Sequence, residues 1–221
     1  MLQGTRGKEA FVKRILIVDD HPLICEGIER VVKEVFEACV TVSASNASEA
    51  MNALSDQAWD LVIIDISIPG RDGLELLKEI RTQRPQLPVL VVTVHPEEQY
   101  LVRSFRAGAS GYLSKSASME LFRKAVLRVT EGARFITAEG AELLAADLSV
   151  DRARPIHEQL SNREFDIFLR IGRGNTVGEI AQALRLSGKT VATYRARILA
   201  KTGVRNNADI AQYAIRNKLV D

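Results

Sequence analysis

Ile15-Leu16-Ile17-Val18-Asp19-Asp20 is the stretch on which the fold turns: four apolar residues in unbroken succession, then two carboxylates. A run without polar alternation reads as a strand buried on both faces, as in parallel sheets sandwiched between helices. Leu61-Val62-Ile63-Ile64 ending in Asp65 and Val89-Leu90-Val91-Val92 ending in Thr93 repeat the pattern, and each is followed by sequence of helical period. Weaker runs at 40–44 and 111–113 complete five β-α units between residues 14 and 131. The expectation is a doubly wound α/β domain on a five-stranded parallel sheet.

In such a sheet, ligands gather at the carboxyl ends of the strands. Those ends carry Asp19, Asp20, Asp65 and Thr93, and Lys115 follows the fifth run. Three carboxylates converging on one crevice repel one another unless a cation sits among them, and all-oxygen ligation suits Mg²⁺. A hydroxyl and an ammonium complete an anion site. The turn at Pro69-Gly70 and a helix start near Asp72-Gly73 let the loop after Asp65 present backbone groups. A single strand-end aspartate is as readily a helix cap; Thr93 and Tyr112, taken singly, read as strand and packing residues.

The chain has 221 residues, 46% hydrophobic and 26% charged, values that rule out disorder as the main state and suit two small domains. No apolar run approaches the ~20 residues that span a bilayer, and the first 14 residues carry charges where a secretory core would sit, so a cytoplasmic protein with no membrane partner is expected. Cys25 and Cys39 show no ligand spacing and read as buried, reduced thiols. The net charge of +2 conceals an asymmetry: residues 1–154 hold 19 Lys/Arg against 22 Asp/Glu, residues 155–221 hold 11 against 6. A basic second part points to a polyanion.

That second part opens with Ser161 as N-cap and Glu164 three residues on, a capping box. Helices are expected from there to Gly172–Gly174, from Val177 to Leu184, from Ser187 to Thr202 and over 208–217. The middle two, joined by a tight turn, form a helix-turn-helix. Val191, Ile198 and Leu199 make the apolar stripe of the third, which turns Lys189, Ala192, Thr193, Ala196 and Arg197 outward. Residues 1–13 read as a tail and 132–155, with a helix-like stretch at 138–148, as a linker.

Val18-Asp19-Asp20-His21-Pro22, Asp65-Ile66-Ser67-Ile68-Pro69-Gly70-Arg71-Asp72-Gly73, Thr93 and Gly108-Ala109-Ser110-Gly111-Tyr112-Leu113-Ser114-Lys115 together resemble the flavodoxin-like receiver domain of two-component response regulators. Leu160-Ser161 with Arg163-Glu164, Glu179-Ile180-Ala181, Leu186-Ser187 with Lys189-Thr190-Val191, and Lys201 with Gly203-Val204 resemble the four-helix LuxR-type DNA-binding domain. The order is that of NarL/LuxR-type regulators: receiver 14–131, linker, effector 156–221.

The resemblance implies that Asp65 accepts a phosphoryl group from a sensor histidine kinase. It further implies that Asp20, Asp65 and the Ser67 carbonyl bind Mg²⁺ with Asp19 acting through water, and that Lys115 pairs with the phosphoryl group. Thr93 and Tyr112 form a switch. Double-stranded promoter DNA is contacted by Lys189, Thr190, Thr193, Tyr194, Arg195, Arg197 and Lys201. A homodimer on phosphorylation, formed through the fourth helix, and RNA polymerase complete the implied partners.

Some positions depart from the pattern. Ser116 stands where receivers often have proline, Cys25 where they often have arginine, and Ala192, Tyr194 and Gly178 where DNA-binding relatives carry longer or other polar groups. A constitutive DNA-binding protein with a receiver used only to dimerise is one alternative. An aspartyl-nucleophile phosphatase of the haloacid-dehalogenase type is another, but it needs an aspartate where Ser67 stands.

Overall fold

The computed structural model describes residues 12–149 and 155–220. The chain divides into two compact units, residues 1–145 and 146–221. In the first, five parallel strands lie in the order β2-β1-β3-β4-β5: β1 Lys13–Val18, β2 Cys39–Ala44, β3 Leu61–Ile64, β4 Val89–Thr93 and β5 Gly111–Ser114. Helices α1 Pro22–Val35, α2 Ala47–Asp56, α3 Gly73–Gln83, α4 Glu97–Ala107 and α5 Met119–Thr130 alternate with them. The expected α/β class and the five-stranded sheet are both present.

The unbroken apolar runs are the central strands. Ile15, Leu16, Ile17, Val18, Leu61, Val62, Val89, Leu90 and Val91 have no exposed surface, because helices cover both faces of the sheet. β2 lies at the edge and is only half covered, which explains its weaker signal. Side chains cap three of these helices at their starts: Asn46 accepts from the Glu49 amide, Asp72 from Leu74 and Ser118 from Leu121. Gly108 closes α4 at a φ of 104°, a left-handed conformation that favours glycine.

Of the expected tail, residues 1–11 lie outside the described residues and Lys13 opens β1. Of the expected linker, 132–149 and Pro155 are described. Phe135 is 5% exposed and packs in the core with Val129 and Leu90. It bridges to Gly111 at the free edge of β5 and donates its amide to the Ser110 carbonyl at 2.9 Å. Helix α6, Ala138–Ser149, follows.

The second unit is helical: a 3₁₀ turn at Ile156–Gln159, then α7 Asn162–Gly172, α8 Val177–Ala183, α9 Gly188–Thr202 and α10 Asn207–Arg216. Capping boxes at Ser161/Glu164 and Thr176/Glu179 start α7 and α8. Phe165, Ile167, Phe168, Ile180, Val191, Ile198, Ile210 and Ala214 form its core.

Candidate functional site

Backbone pairing one residue beyond the strands places the functional groups of the first unit. The Asp19 amide donates to the Ala44 carbonyl (3.0 Å), Asp65 to Val18 (2.9 Å) and Lys115 to Thr93 (2.8 Å). The ladder thus fixes three chemically active residues at the carboxyl edge of the sheet. Gly73 permits the loop after Asp65 to fold back: its amide donates to the Ile66 carbonyl, and a Cβ there would lie 2.1 Å from the Asp65 carbonyl oxygen.

The Lys115 ammonium lies 2.6 Å from Asp19 Oδ2 and 2.7 Å from Asp65 Oδ2. The three side chains are only 9%, 3% and 1% exposed, respectively. Burial opposes the charge on Lys115, but its hydrogen bonds to Asp19 and Asp65, reinforced by their charge, outweigh this and raise its pKa above the ordinary lysine value. Asp65 Oδ1 is buried without a hydrogen-bond partner, an arrangement that costs free energy unless a ligand or ion completes it.

His21 was not assigned a role by sequence reasoning. Its Nδ1 lies 3.0 Å from both Asp19 Oδ1 and Asp20 Oδ1, and its amide donates to Asp19 Oδ1. Donor atoms of Asp19, His21 and Asp65 all fall within 4.8 Å of one another. The structure therefore brings Asp19, Asp65 and Lys115 into direct contact, with Asp20 joined to the group through His21.

Thr93 and Tyr112 are fully buried and meet at a second histidine that sequence reasoning passed over. The Tyr112 hydroxyl donates to the His95 carbonyl at 2.7 Å, the His95 amide points at Thr93 Oγ1 at 3.5 Å, and the His95 ring packs on Tyr100 with centroids 4.3 Å apart. Burial, then the charges of Glu97 and Asp65, push the Tyr112 phenol well above its usual pKa, so it remains a donor. The Ser67 hydroxyl is engaged by His95 Nε2 at 2.8 Å.

In the second unit, α8 and α9 are joined by a four-residue turn, 184–187, in which Arg185 adopts a φ of 52°. Lys189, Ala192, Thr193, Ala196 and Arg197 are exposed along α9 as expected, while Leu199 is only half-buried. Arg197 lies 5.8 Å from the centre of the Tyr194 ring, and the Thr193 hydroxyl donates to the Lys189 carbonyl. Ser187 caps the helix and its hydroxyl pairs with that of Thr190. Arg195 is half-buried and donates to Asn207 Oδ1 at 2.6 Å. Lys201 is committed within the domain: its ammonium binds Glu164 Oε2, on a side chain only 3% exposed, at 2.6 Å.

These two sites match known proteins. Residues 15–127 fit the model of the response regulator receiver domain and residues 158–214 that of the bacterial regulatory proteins, luxR family. The chain is 34% identical to the response regulator UvrY of Escherichia coli (strain K12) over 206 residues, 93% of this chain and 94% of the relative. It is 33% identical to the response regulator GacA of Pseudomonas aeruginosa over 209 residues, 94% and 98% respectively. Among solved structures it resembles the RcsB response regulator of Salmonella typhimurium (TM-score 0.58, 25% identity, 91% of this chain and 98% of that one). It also resembles RcsB of Salmonella enterica serovar Typhimurium bound to promoter rprA in the presence of phosphomimetic BeF3- (TM-score 0.55, 25% identity, 91% and 97%). Among the described residues no helix is long and apolar enough to cross a membrane. The chain belongs to the DNA-binding transcriptional response regulators of two-component systems, of the NarL/LuxR type, with a receiver domain followed by a LuxR-type helix-turn-helix domain.

Proposed function

We propose that Asp65 is the phosphoacceptor, that a sensor histidine kinase is the donor, and that the acyl phosphate controls DNA binding by the second unit. One observation carries the reading: Asp65 presents a buried carboxylate with one oxygen on Lys115 and the other unpartnered, in a crevice that also holds Asp19. The unpartnered oxygen attacks phosphorus, the P–N bond of the phosphohistidine breaks, and the imidazole leaves with the electron pair and takes up a proton. Lys115 then moves its charge from the two carboxylates to the phosphoryl oxygens, and the Thr93 hydroxyl supplies a further donor.

The site fits Mg²⁺: Asp19, Asp20 and Asp65 supply the oxygen donors that a hard cation selects, with the Ser67 carbonyl as a fourth. When bound, the ion neutralises charge on the transferring phosphoryl oxygens. His21 lies in the same cluster, but imidazole nitrogen suits other metals better; we assign it to orient the Asp19 and Asp20 carboxylates, which its ring nitrogen meets at 3.0 Å. The receiver promotes its own modification and does not turn over as an enzyme. Ser67, occupied with His95, offers no carboxyl for a phosphatase cycle.

On the DNA side, α9 enters the major groove, with Lys189, Thr190, Thr193, Tyr194, Arg195 and Arg197 facing the operator. Lys201, which the resemblance places among the DNA contacts, stays among them in this proposal, with its ammonium held by Glu164. Phosphorylation favours a homodimer through α10, in the cytoplasm, and RNA polymerase is the downstream partner.

Acetyl phosphate with Mg²⁺ tests the reading. Intact mass and peptide mapping should place one phosphoryl group on Asp65, Asp65→Asn should abolish it, and the phosphorylated parent should gain affinity for a duplex selected from a random pool. Undiminished labelling of the variant at another residue would refute the assignment. Arg197→Ala should weaken binding to all sequences and reduce the salt slope by about one unit, whereas Thr193→Ala should cost ~1–3 kcal/mol at one base pair.

A further inference from the structure

The chain leaving α5 is anchored to α4 by contacts that the phosphorylation site does not need. Thr137 caps α6: its hydroxyl accepts from the Gly140 amide at 2.9 Å and donates to Glu97 Oε2 at 2.7 Å. Both capacities of the hydroxyl are thereby used, and Glu97 stands in the first turn of α4. Gly140 faces the same helix at a separation that admits a side chain only if its neighbours shift. A Cβ there would lie 2.6 Å from Leu101 Cδ1, 2.9 Å from Ile136 Cγ1 and 3.0 Å from Glu97 Oε2. Helix α6 thus touches α4 through a polar contact and a close packing contact one turn apart.

The other side of that α4 turn faces the crevice. Two residues before Glu97 is His95, whose carbonyl accepts from Tyr112, whose ring packs on Tyr100 of α4, and whose Nε2 meets Ser67 in the loop after Asp65. The start of α4 is therefore gripped by the β4–α4 loop on one side and by the start of α6 on the other. Any change in the Thr93–His95–Tyr112 contacts that shifts this turn must either carry Thr137 and Gly140 with it or break their contacts, because packed interfaces do not deform continuously.

We infer that the Glu97–Thr137–Gly140 contact is the lever that passes the state of the Asp65 crevice to α6, the helix from which the chain runs on toward the DNA-binding unit. The inference rests on the proposed role of Asp65 and adds to it a specific route. Thr137 and Gly140 are positioning residues: they touch neither phosphoryl group nor DNA.

The test uses the full chain treated with acetyl phosphate and Mg²⁺, with three readouts: phosphoryl occupancy by intact mass, amide exchange over residues 138–141, and affinity for a duplex selected with the parent. In the parent, phosphorylation should change exchange at 138–141 and raise affinity, by about 5–150-fold for a coupling of ordinary allosteric size. Thr137→Val and Gly140→Ala should take up the phosphoryl group like the parent but lose most of that gain. Thr137→Ser, which keeps the hydroxyl, should retain it, as should Glu142→Ala on exposed surface of α6. Full gain in both Thr137→Val and Gly140→Ala overturns the lever; so does a phosphorylated parent with unaltered exchange at 138–141. Failure of the parent to be phosphorylated at Asp65 instead defeats the underlying reading, and the mass measurement separates the two.

Discussion

Replacing Lys115 by methionine removes the cation shared by Asp19 and Asp65 while keeping most of the side chain's length. At an effective dielectric constant of about 20, each contact, at 2.6 and 2.7 Å, contributes roughly 6 kcal/mol of Coulomb attraction. Desolvation of the ammonium and both carboxylates offsets much of that. Breaking a buried pair from one side costs about 3–5 kcal/mol because the charges left behind have no counter-ion. For a domain of this size, that is a fall in Tm of about 10–20 °C. The chain has a single tryptophan, Trp59, in the first unit and 8% exposed, so its fluorescence follows unfolding of that unit alone. The deficit should be largest in EDTA and shrink with Mg²⁺, since a cation bound only to the native state at a hundred times its Kd returns about 2.7 kcal/mol. It should not vary between pH 6 and 9: the lysine pKa is raised, so its contribution is complete below the unfolded value and fades only as pH climbs through the folded one, above 10.5. A Lys115→Met variant as stable as the parent in EDTA, or one whose deficit ignores Mg²⁺, would refute this account.

Gly73→Ala should destabilise the receiver by roughly 3 kcal/mol, because its Cβ would meet the Asp65 backbone. It should also slow phosphoryl uptake at Asp65, whereas Gly27→Ala, with nothing within 4 Å, should be neutral or stabilise α1 by about 0.5–1 kcal/mol; equal effects in thermal melts would contradict the geometry. Lys201→Met should lower the stability of the second unit by about 1–2 kcal/mol at neutral pH, discounted for the exposure of the lysine. Burial raises the Glu164 pKa, but its bonds to Lys201 and Ser161 prevail and lower it, so this contribution is present above pH 4.5 and lost as pH falls through the depressed value. Circular dichroism melts taken from pH 7 downward should show the deficit whole above pH 4.5 and shrinking as the medium becomes more acidic than that.

What could be read from sequence divides along a physical line. Ile15, Leu61 and Val89 announce buried strands because burial on both faces leaves no polar residue in the run, and Asp65 announces a site because it ends one. The capping box at Ser161 and Glu164 is likewise written in adjacent residues. Contacts between distant segments leave no such mark. Lys201 lies 37 positions from Glu164 and looked like any basic residue on an exposed helix. His95 gains its importance only when Tyr112, Ser67 and Tyr100 converge on it. Phe135 stands in a stretch of glycine, alanine and arginine with no period, and its burial depends on the open edge of β5 and on Gly111, where a Cβ would lie 2.9 Å from Leu90 and 3.1 Å from the Phe135 Cβ.

The charge arrangement of the crevice explains how a small modification could have a distant effect. Before phosphorylation, Lys115 is shared between two buried carboxylates and one oxygen of Asp65 has no partner, so the unmodified site is held together by a single cation at appreciable cost. In the proposed reaction the acceptor oxygen enters the mixed-anhydride bond of the acyl phosphate and the negative charge moves outward onto the phosphoryl group, where Lys115 and the Thr93 hydroxyl follow it. Asp19 thereby loses Lys115 as its direct partner. Each of these is a rearrangement of charge-assisted bonds of about 1.5–3 kcal/mol. A coupling of 1–3 kcal/mol changes affinity by about 5–150-fold, so only a fraction of the energy released in the crevice has to reach α6. The His95 backbone, bonded to Thr93 through its amide and to Tyr112 through its carbonyl, is the point at which that fraction leaves the crevice.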